Sequence, residues 1–114
     1  MNSGINRKCN FLLGNVIELG LSLNPNFGYI QNLWNLGIID EKEYREGPEV
    51  VDRFSEESYD TVVRILPNII DLINNKFPED CPITNRLRRA NIFSCLEELN
   101  LAEKTDDSKL ALKK

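Results

Sequence analysis

The side chains able to do chemistry in this chain are carboxylates, lysines, arginines and three cysteines, because histidine is absent. Without histidine there is no Ser-His-Asp or Cys-His nucleophile system, no histidine-based ribonuclease mechanism and almost no zinc catalysis. Neither G-x-G-x-x-G nor G-x-x-x-x-G-K-[ST] occurs, so no glycine-rich loop offers a phosphate cradle. Cys9, Cys81 and Cys95 are odd in number and widely spaced, the pattern of idle reduced thiols and not of a disulfide scaffold or zinc knuckle. Paired carboxylates remain, and such pairs can run glycosidase-type acid/base chemistry where a pocket raises one pKa. Acids exposed on short helices are instead solvated. The sequence therefore assigns no catalytic residue, no cofactor and no metal, and the expectation is a protein that is not an enzyme.

Nine carboxylates lie between residues 40 and 60: Asp40, Glu41, Glu43, Glu46, Glu49, Asp52, Glu56, Glu57 and Asp60. Only Lys42, Arg45 and Arg53 offset them, so this stretch is net −6 in a chain that is net −4. Residues 1–39 are +1 and residues 81–114 are +2, which makes the middle the outlier. One reading is a solvated helical face, partly neutralised by i,i+4 pairs such as Glu41–Arg45 and Glu49–Arg53. Calcium binding is poorly supported, since D-x-[DN]-x-[DN]-G-x₅-E is missing. The sharper reading is a docking surface, because concentrated negative charge attracts basic partners and repels phosphate backbones. Tyr44 sits among these acids between Glu43 and Arg45, where a ring supplies contact area and the acids supply steering. The nine acids and Tyr44 form the candidate partner-binding set.

Arg86, Arg88 and Arg89 are the only basic cluster. They raise an alternative, a helical DNA-binding regulator or adaptor that places this helix in a groove. Arginines at a helix start oppose the favourable dipole charge, and the chain as a whole is acidic, so nucleic acid is the weaker partner. A simpler role for the three is to face the carboxylates of the middle segment.

The elements that must position these groups are helical. Leu12, Val16, Leu19 and Leu23 recur at helical spacing, predicting a first helix over about residues 10–23. Asn24-Pro25 reads as a helix start, followed by Phe27, Ile30, Leu33 and Trp34 on one side, with Gly37 placed to end the helix. Asp40 and Glu43 have capping-box spacing, predicting a short helix that Gly47-Pro48 breaks. Glu49 to Phe54 adds a further turn. After Ser55, read as a cap, an apolar stripe of Tyr59, Val62, Val63, Leu66, Ile69, Ile70, Ile73 and Phe77 predicts one bent helix or two abutting ones over residues 56–76. Pro67 falls inside that helix. Trp34, Phe54 and Tyr59 are assigned to the core. Beyond the loop from Pro78 to Pro82, Thr84 is read as the cap of a last helix over residues 85–101, with Leu87, Ala90, Phe93, Leu96 and either Leu99 or Leu101 inward. Strand signals are weak: no extended alternation and no Asn-Gly or Asp-Gly turn appears. The expectation is an all-α compact bundle of five to six helices. Its single domain spans residues 8–103, between a flexible lead at 1–7 and a charged, frayed tail at 104–114.

At 114 residues the chain has the length of one ordinary domain, and its 41% apolar share suits a folded core. Its first apolar run is too short and interrupted for a membrane span or a signal peptide, so no membrane contact and a cytoplasmic location are expected. A small, acidic, histidine-free helical domain with one dense carboxylate surface resembles bacterial toxin-immunity proteins as a class. What the resemblance implies is a protein-binding inhibitor whose partner is a basic toxin domain of nuclease type. Its acids would stand in for phosphate before the toxin's Arg and Lys groups, and Tyr44 and its neighbours would supply the apolar anchors.

Overall fold

The structure, a computed structural model, describes residues 3–77, 81–107 and 109–113. Among these residues it holds six α-helices: α1 (Ser3–Leu23), α2 (Tyr29–Asn35), α3 (Glu41–Glu46), α4 (Glu49–Glu56), α5 (Ser58–Asp71) and α6 (Ile83–Glu98). A π-helical turn, Leu72–Lys76, continues α5, and a small hairpin follows α6, formed by β1 (Ala102–Lys104) and β2 (Leu110–Leu112). The fold is thus an all-α bundle with a two-stranded appendage. None of these helices is long and apolar enough to cross a membrane.

α1 is the central helix, and α2, α5 and α6 pack against it. Cys9, Leu12, Leu13, Val16 and Leu19 recur at three- and four-residue steps and are all buried. They meet Leu33 of α2, Val62, Ile65 and Ile69 of α5, and Ile92, Cys95 and Leu96 of α6 in one apolar cluster. α1 starts at Ser3, so the expected flexible lead is helical from residue 3 onward; Met1 and Asn2 lie outside the described residues.

Asn24-Pro25 does not open α2. It forms a turn closed by the Phe27 N–H donating to the Asn24 carbonyl at 3.0 Å, and the helix starts at Tyr29. The reason is Asn32: its buried amide donates to the Asn24 and Gly28 carbonyls and locks the turn in place. α2 ends as expected at Gly37, whose φ of 75° belongs to the left-handed region. The Gly37 N–H donates to Trp34 and the Ile38 N–H donates to Leu33, the paired bonds of a Schellman motif. Asn100, at φ 62°, ends α6 in the same way.

α5 runs through Pro67 as one element. The lost bond is the one to the Val63 carbonyl, and both residues lie on the exposed side of the helix, where solvent has access. The buried stripe is rotated from the expected one. Ser58, Thr61, Val62, Ile65, Leu66 and Ile69 face inward, whereas Tyr59 and Val63 face outward and Ile70 is half-buried. Ser58 takes an inward place because its hydroxyl donates to the Asn6 carbonyl of α1 at 3.4 Å. Ser55, read as a cap, lies inside α4, and α5 starts without a side-chain cap.

α6 is rotated too. Thr84 is not its cap, since the helix starts at Ile83 after Pro82. Arg89 holds an inward position with its guanidinium 4.7 Å from the centre of the Phe93 ring, a cation–π contact, and Leu87 and Ala90 are left outside. Of the loop from Pro78 to Pro82, residues 78–80 lie outside the described residues.

The tail expected to fray is instead the hairpin. Ala102 pairs with Leu112 and Lys104 with Leu110, antiparallel. The Asn74 amide, on the π-helical turn, receives the Leu110 N–H at 2.8 Å and donates to the Leu110 carbonyl at 3.0 Å. One side chain therefore acts as a further strand, and Leu110 is buried beneath it. The folded body extends past residues 8–103 at both ends.

Two substitutions check this account in urea unfolding. Leu110→Ala should cost about 2–3 kcal/mol, as for a buried leucine, while Leu112→Ala, half exposed, should stay within about 0.5 kcal/mol. A frayed tail would make the two equal. Gly37→Ala should cost about 1–2 kcal/mol, because its φ is positive and its new Cβ would stand 2.8 Å from the Asn68 amide nitrogen.

Candidate functional site

Asp40 caps α3 through a complete capping box. Its carboxylate accepts the Glu43 N–H at 2.8 Å, and Glu43 accepts the Asp40 N–H at 3.1 Å. That exchange turns Glu43 inward, where it is buried. Arg64 of α5 reaches it with two nitrogens, at 3.2 and 3.4 Å, and Arg53 of α4 with one at 3.4 Å. Arg53 also donates to Glu46 at 2.6 Å. The Glu46 hydrogen bond, with the added charges of Glu46, Glu43 and Glu57, holds the Arg53 guanidinium charged to still higher pH than usual.

This network divides the ten candidate residues. Asp40 and Glu43 build the α3 cap, and Glu43 and Glu46 neutralise Arg53 and Arg64, so Glu43 is an internal group and not part of a docking surface. Glu41 pairs with Arg45 at 2.9 Å as expected, whereas Arg53 takes Glu46 in place of Glu49. The other five, Glu49, Asp52, Glu56, Glu57 and Asp60, are exposed and form no ion pair among the described residues. Glu49, Asp52 and Glu56 stand at i, i+3 and i+7, which places them on one stripe of α4 opposite buried Val50 and Phe54. Glu57 and Asp60 follow at the join of α4 and α5.

Three hollows adjoin along this side of the molecule. The largest, about 540 Å³, has Glu56, Glu57 and Asp60 on one wall and Ile5 and Tyr59 among its ring and aliphatic surfaces. It shares Glu57 and Asp60 with a second hollow, which holds Arg53 and Arg64. The second shares Glu43 and Arg64 with a third, bordered by Trp34, Gly37 and Asp40. Tyr44 is half-buried and stacks on Trp34, with ring centres 4.3 Å apart and planes 22° from parallel. Trp34, assigned to the core from its spacing, is 38% exposed. It and Arg64 are the residues that sequence reasoning missed. Neither had a usable signal, because Trp34 fell on an apolar stripe and Arg64 pairs across 21 residues.

The three arginines of α6 are divided: Arg86 and Arg89 line one hollow with Lys104 and Glu97, and Arg88 turns to α1. Arg89 is buried, Arg88 pairs with Glu18 of α1 and bonds Asn85, and of the three only Arg86 is exposed. Arg88 therefore meets a first-helix acid and not the middle segment. Burial pushes the Cys9 thiol above its ordinary value, and burial assisted by Glu98 does the same to Cys95, which disfavours the nucleophilic thiolate at both. No family model, curated protein or solved structure matches this chain.

Glu43→Ala should destabilise the fold by about 2–3 kcal/mol, because it removes half of the capping box and leaves two guanidiniums without their shared acceptor. The contribution is moderated by the partial exposure of both arginines. Glu49→Lys should lie within about 0.5 kcal/mol of the parent. Thermal unfolding of the two variants measures the contrast, and equal effects would mean that Glu43 is an ordinary surface acid.

Proposed function

We propose that this protein is a binding inhibitor, an immunity protein that neutralises a basic nuclease-type toxin by covering it with the acidic side formed by α4 and the start of α5. The observation that carries this reading is the set of five exposed carboxylates, Glu49, Asp52, Glu56, Glu57 and Asp60, left without internal cations. Arg45, Arg53 and Arg64 make their ion pairs with Glu41, Glu43 and Glu46, and of the five exposed acids Glu57 is the one whose charge also acts on Arg53, so the α4 stripe of Glu49, Asp52 and Glu56 keeps most of its charge. The hollow bordered by Tyr59 and Ile5 offers apolar contact beside those acids, and Trp34 offers an exposed ring further along. Rings supply the buried area that holds a partner, while charge steers its approach.

The reading has kinetic consequences. The Debye length is about 8 Å at physiological ionic strength, so an exposed stripe of this kind acts mainly on the association rate and loses force in salt. Glu49→Lys, Asp52→Lys and Glu56→Lys combined should slow association with the basic partner about 10- to 100-fold at low salt and flatten its salt dependence. The fold should persist, with an unfolding midpoint lowered only modestly because Glu49 and Asp52 leave the first turn of α4. The partner to use is the basic protein that co-purifies with the chain, or the toxin domain encoded by the adjacent reading frame, followed by stopped-flow fluorescence. A triple variant that associates and protects as well as the parent would overturn the assignment.

A further inference from the structure

We propose that the hollow between α6 and β1 is a binding site for a phosphate group, carried by a small phosphate monoester. Arg86, Arg89, Phe93 and Glu97 stand at i, i+3, i+7 and i+11 of α6, which places them on one face of that helix. Lys104 of β1 joins them, and together they line most of a hollow of about 320 Å³. Three cations thus meet a single acid, in a chain that is net −4.

The cations are gathered by the fold and not by their spacing alone. Arg89 and Phe93 are buried and form the base of the hollow. The Arg89 guanidinium lies 4.7 Å from the centre of the Phe93 ring, and the Lys104 ammonium lies 6.0 Å from the same centre. One ring therefore anchors two cations from two elements. Lys104 is held in place through its backbone, since it pairs with Leu110 and Asn74 clamps Leu110 on both sides of its peptide. Arg86, Glu97 and Lys104 form no ion pair among the described residues, so the hollow keeps its positive field. Glu97 stands about 16 Å along the helix axis from Arg86, at the far end of the face.

The chemistry of the lining selects the ligand. Guanidinium groups offer N–H donors in a fixed fork that matches phosphate oxygens, and an ammonium adds a point charge. Three cations against one carboxylate leave an excess of two charges. A phosphate monoester carries about −1.5 to −2 near pH 7 and neutralises that excess, whereas a carboxylate covers half of it. Ala90 and Phe93 in the wall give apolar surface for a compact organic body beside the phosphate. A nucleic-acid duplex is the poorer occupant. It carries one charge per about 1.7 Å of axis and needs a long basic stripe, whereas Arg88, the next arginine of α6, turns away to Glu18 of α1. The hollow shares no residue with the Glu49–Asp52–Glu56 stripe, so this site and the inhibitor reading stand or fall separately.

Two-dimensional ¹H–¹⁵N spectra of the whole chain, titrated at constant ionic strength, test the proposal. The probes are phenyl phosphate, a compact monoester, and inorganic phosphate, with sodium chloride as the balancing salt. Phenyl phosphate should shift the signals of Arg86, Arg89 and Lys104 with Kd on the order of 1 mM, and inorganic phosphate should bind about 3- to 10-fold more weakly. Arg86→Gln and Lys104→Gln, both at exposed positions, should keep the parent's circular dichroism and each weaken phenyl phosphate about 10-fold. Glu97→Gln should tighten it about 2-fold, and Glu49→Lys should bind as the parent does. Absence of shifts with both probes overturns the proposal, as do shifts that persist unchanged in both glutamine variants. Equal binding of the two probes overturns the monoester and assigns the hollow to the free ion. A DNA duplex that shifts these signals where the small probes do not overturns it in favour of a nucleic-acid surface.

Discussion

The buried carboxylate of Glu43 is the interaction on which the acidic side of this molecule depends. A charge removed from water is tolerated only where cations and hydrogen bonds replace its hydration. Here two guanidiniums and one backbone N–H do so, and they come from three places: Arg53 on α4, Arg64 on α5 and Asp40 at the start of α3. α3 and α4 are short, six and eight residues, and isolated helices of that length do not hold themselves together in water. The node at Glu43 fixes both against α5, helped by the apolar contacts of Val50 and Phe54. It fixes direction as well, because a carboxylate with two arginines in reach admits few rotations of either helix.

The same node sorts the charges. Arg53 reaches Glu43 and Glu46 and Arg64 reaches Glu43, both from partly exposed positions, and Arg45 closes on Glu41 one turn away. Among the described residues, Lys42 is the one cation of positions 40–60 outside an ion pair, against six exposed acids that also form none, namely the capping Asp40 and the five of α4 and the start of α5. The local field is therefore steeper than the net charge of −4 conveys. Folding concentrates the negative potential that the sequence already placed in this segment, by consuming its bases more completely than its acids.

Local rules carried most of what was legible beforehand. The capping box at Asp40 and Glu43, the helix end at Gly37, the break at Gly47 and the passage of the long helix through Pro67 each depend on a few adjacent residues, and each follows from backbone chemistry. Features decided at a distance were not legible. The hairpin depends on Asn74 meeting Leu110 across 36 residues, and a lone asparagine gives no strand signal. The rotation of α5 depends on Ser58 meeting Asn6, and that of α6 on Arg89 entering the interior beside Phe93. In both helices the apolar residues cover more than one face, so periodicity alone left the inward side open. The pairing of Arg53 with Glu46 in place of Glu49 has a similar origin, since it crosses the Gly47 turn and is not helical spacing at all.

These long-range contacts also bear on recognition. Tyr44, expected as a contact ring among acids, is held by its stack on Trp34, and Trp34 is held in turn at the last turn of α2 by the Gly37 terminus. Rings that are ordered before contact lose little conformational entropy when a partner covers them, so more of their buried area is available as affinity. The acids of α4 act differently. Their side chains are exposed to solvent, which suits long-range attraction and contributes little once a complex has formed. In the proposed inhibitor the two roles are separated in space, with steering on the α4 stripe and holding in the hollows between Trp34 and Tyr59. Such a division lets the partner arrive quickly through charge and leave slowly because of the rings, the combination that neutralising a toxic enzyme requires.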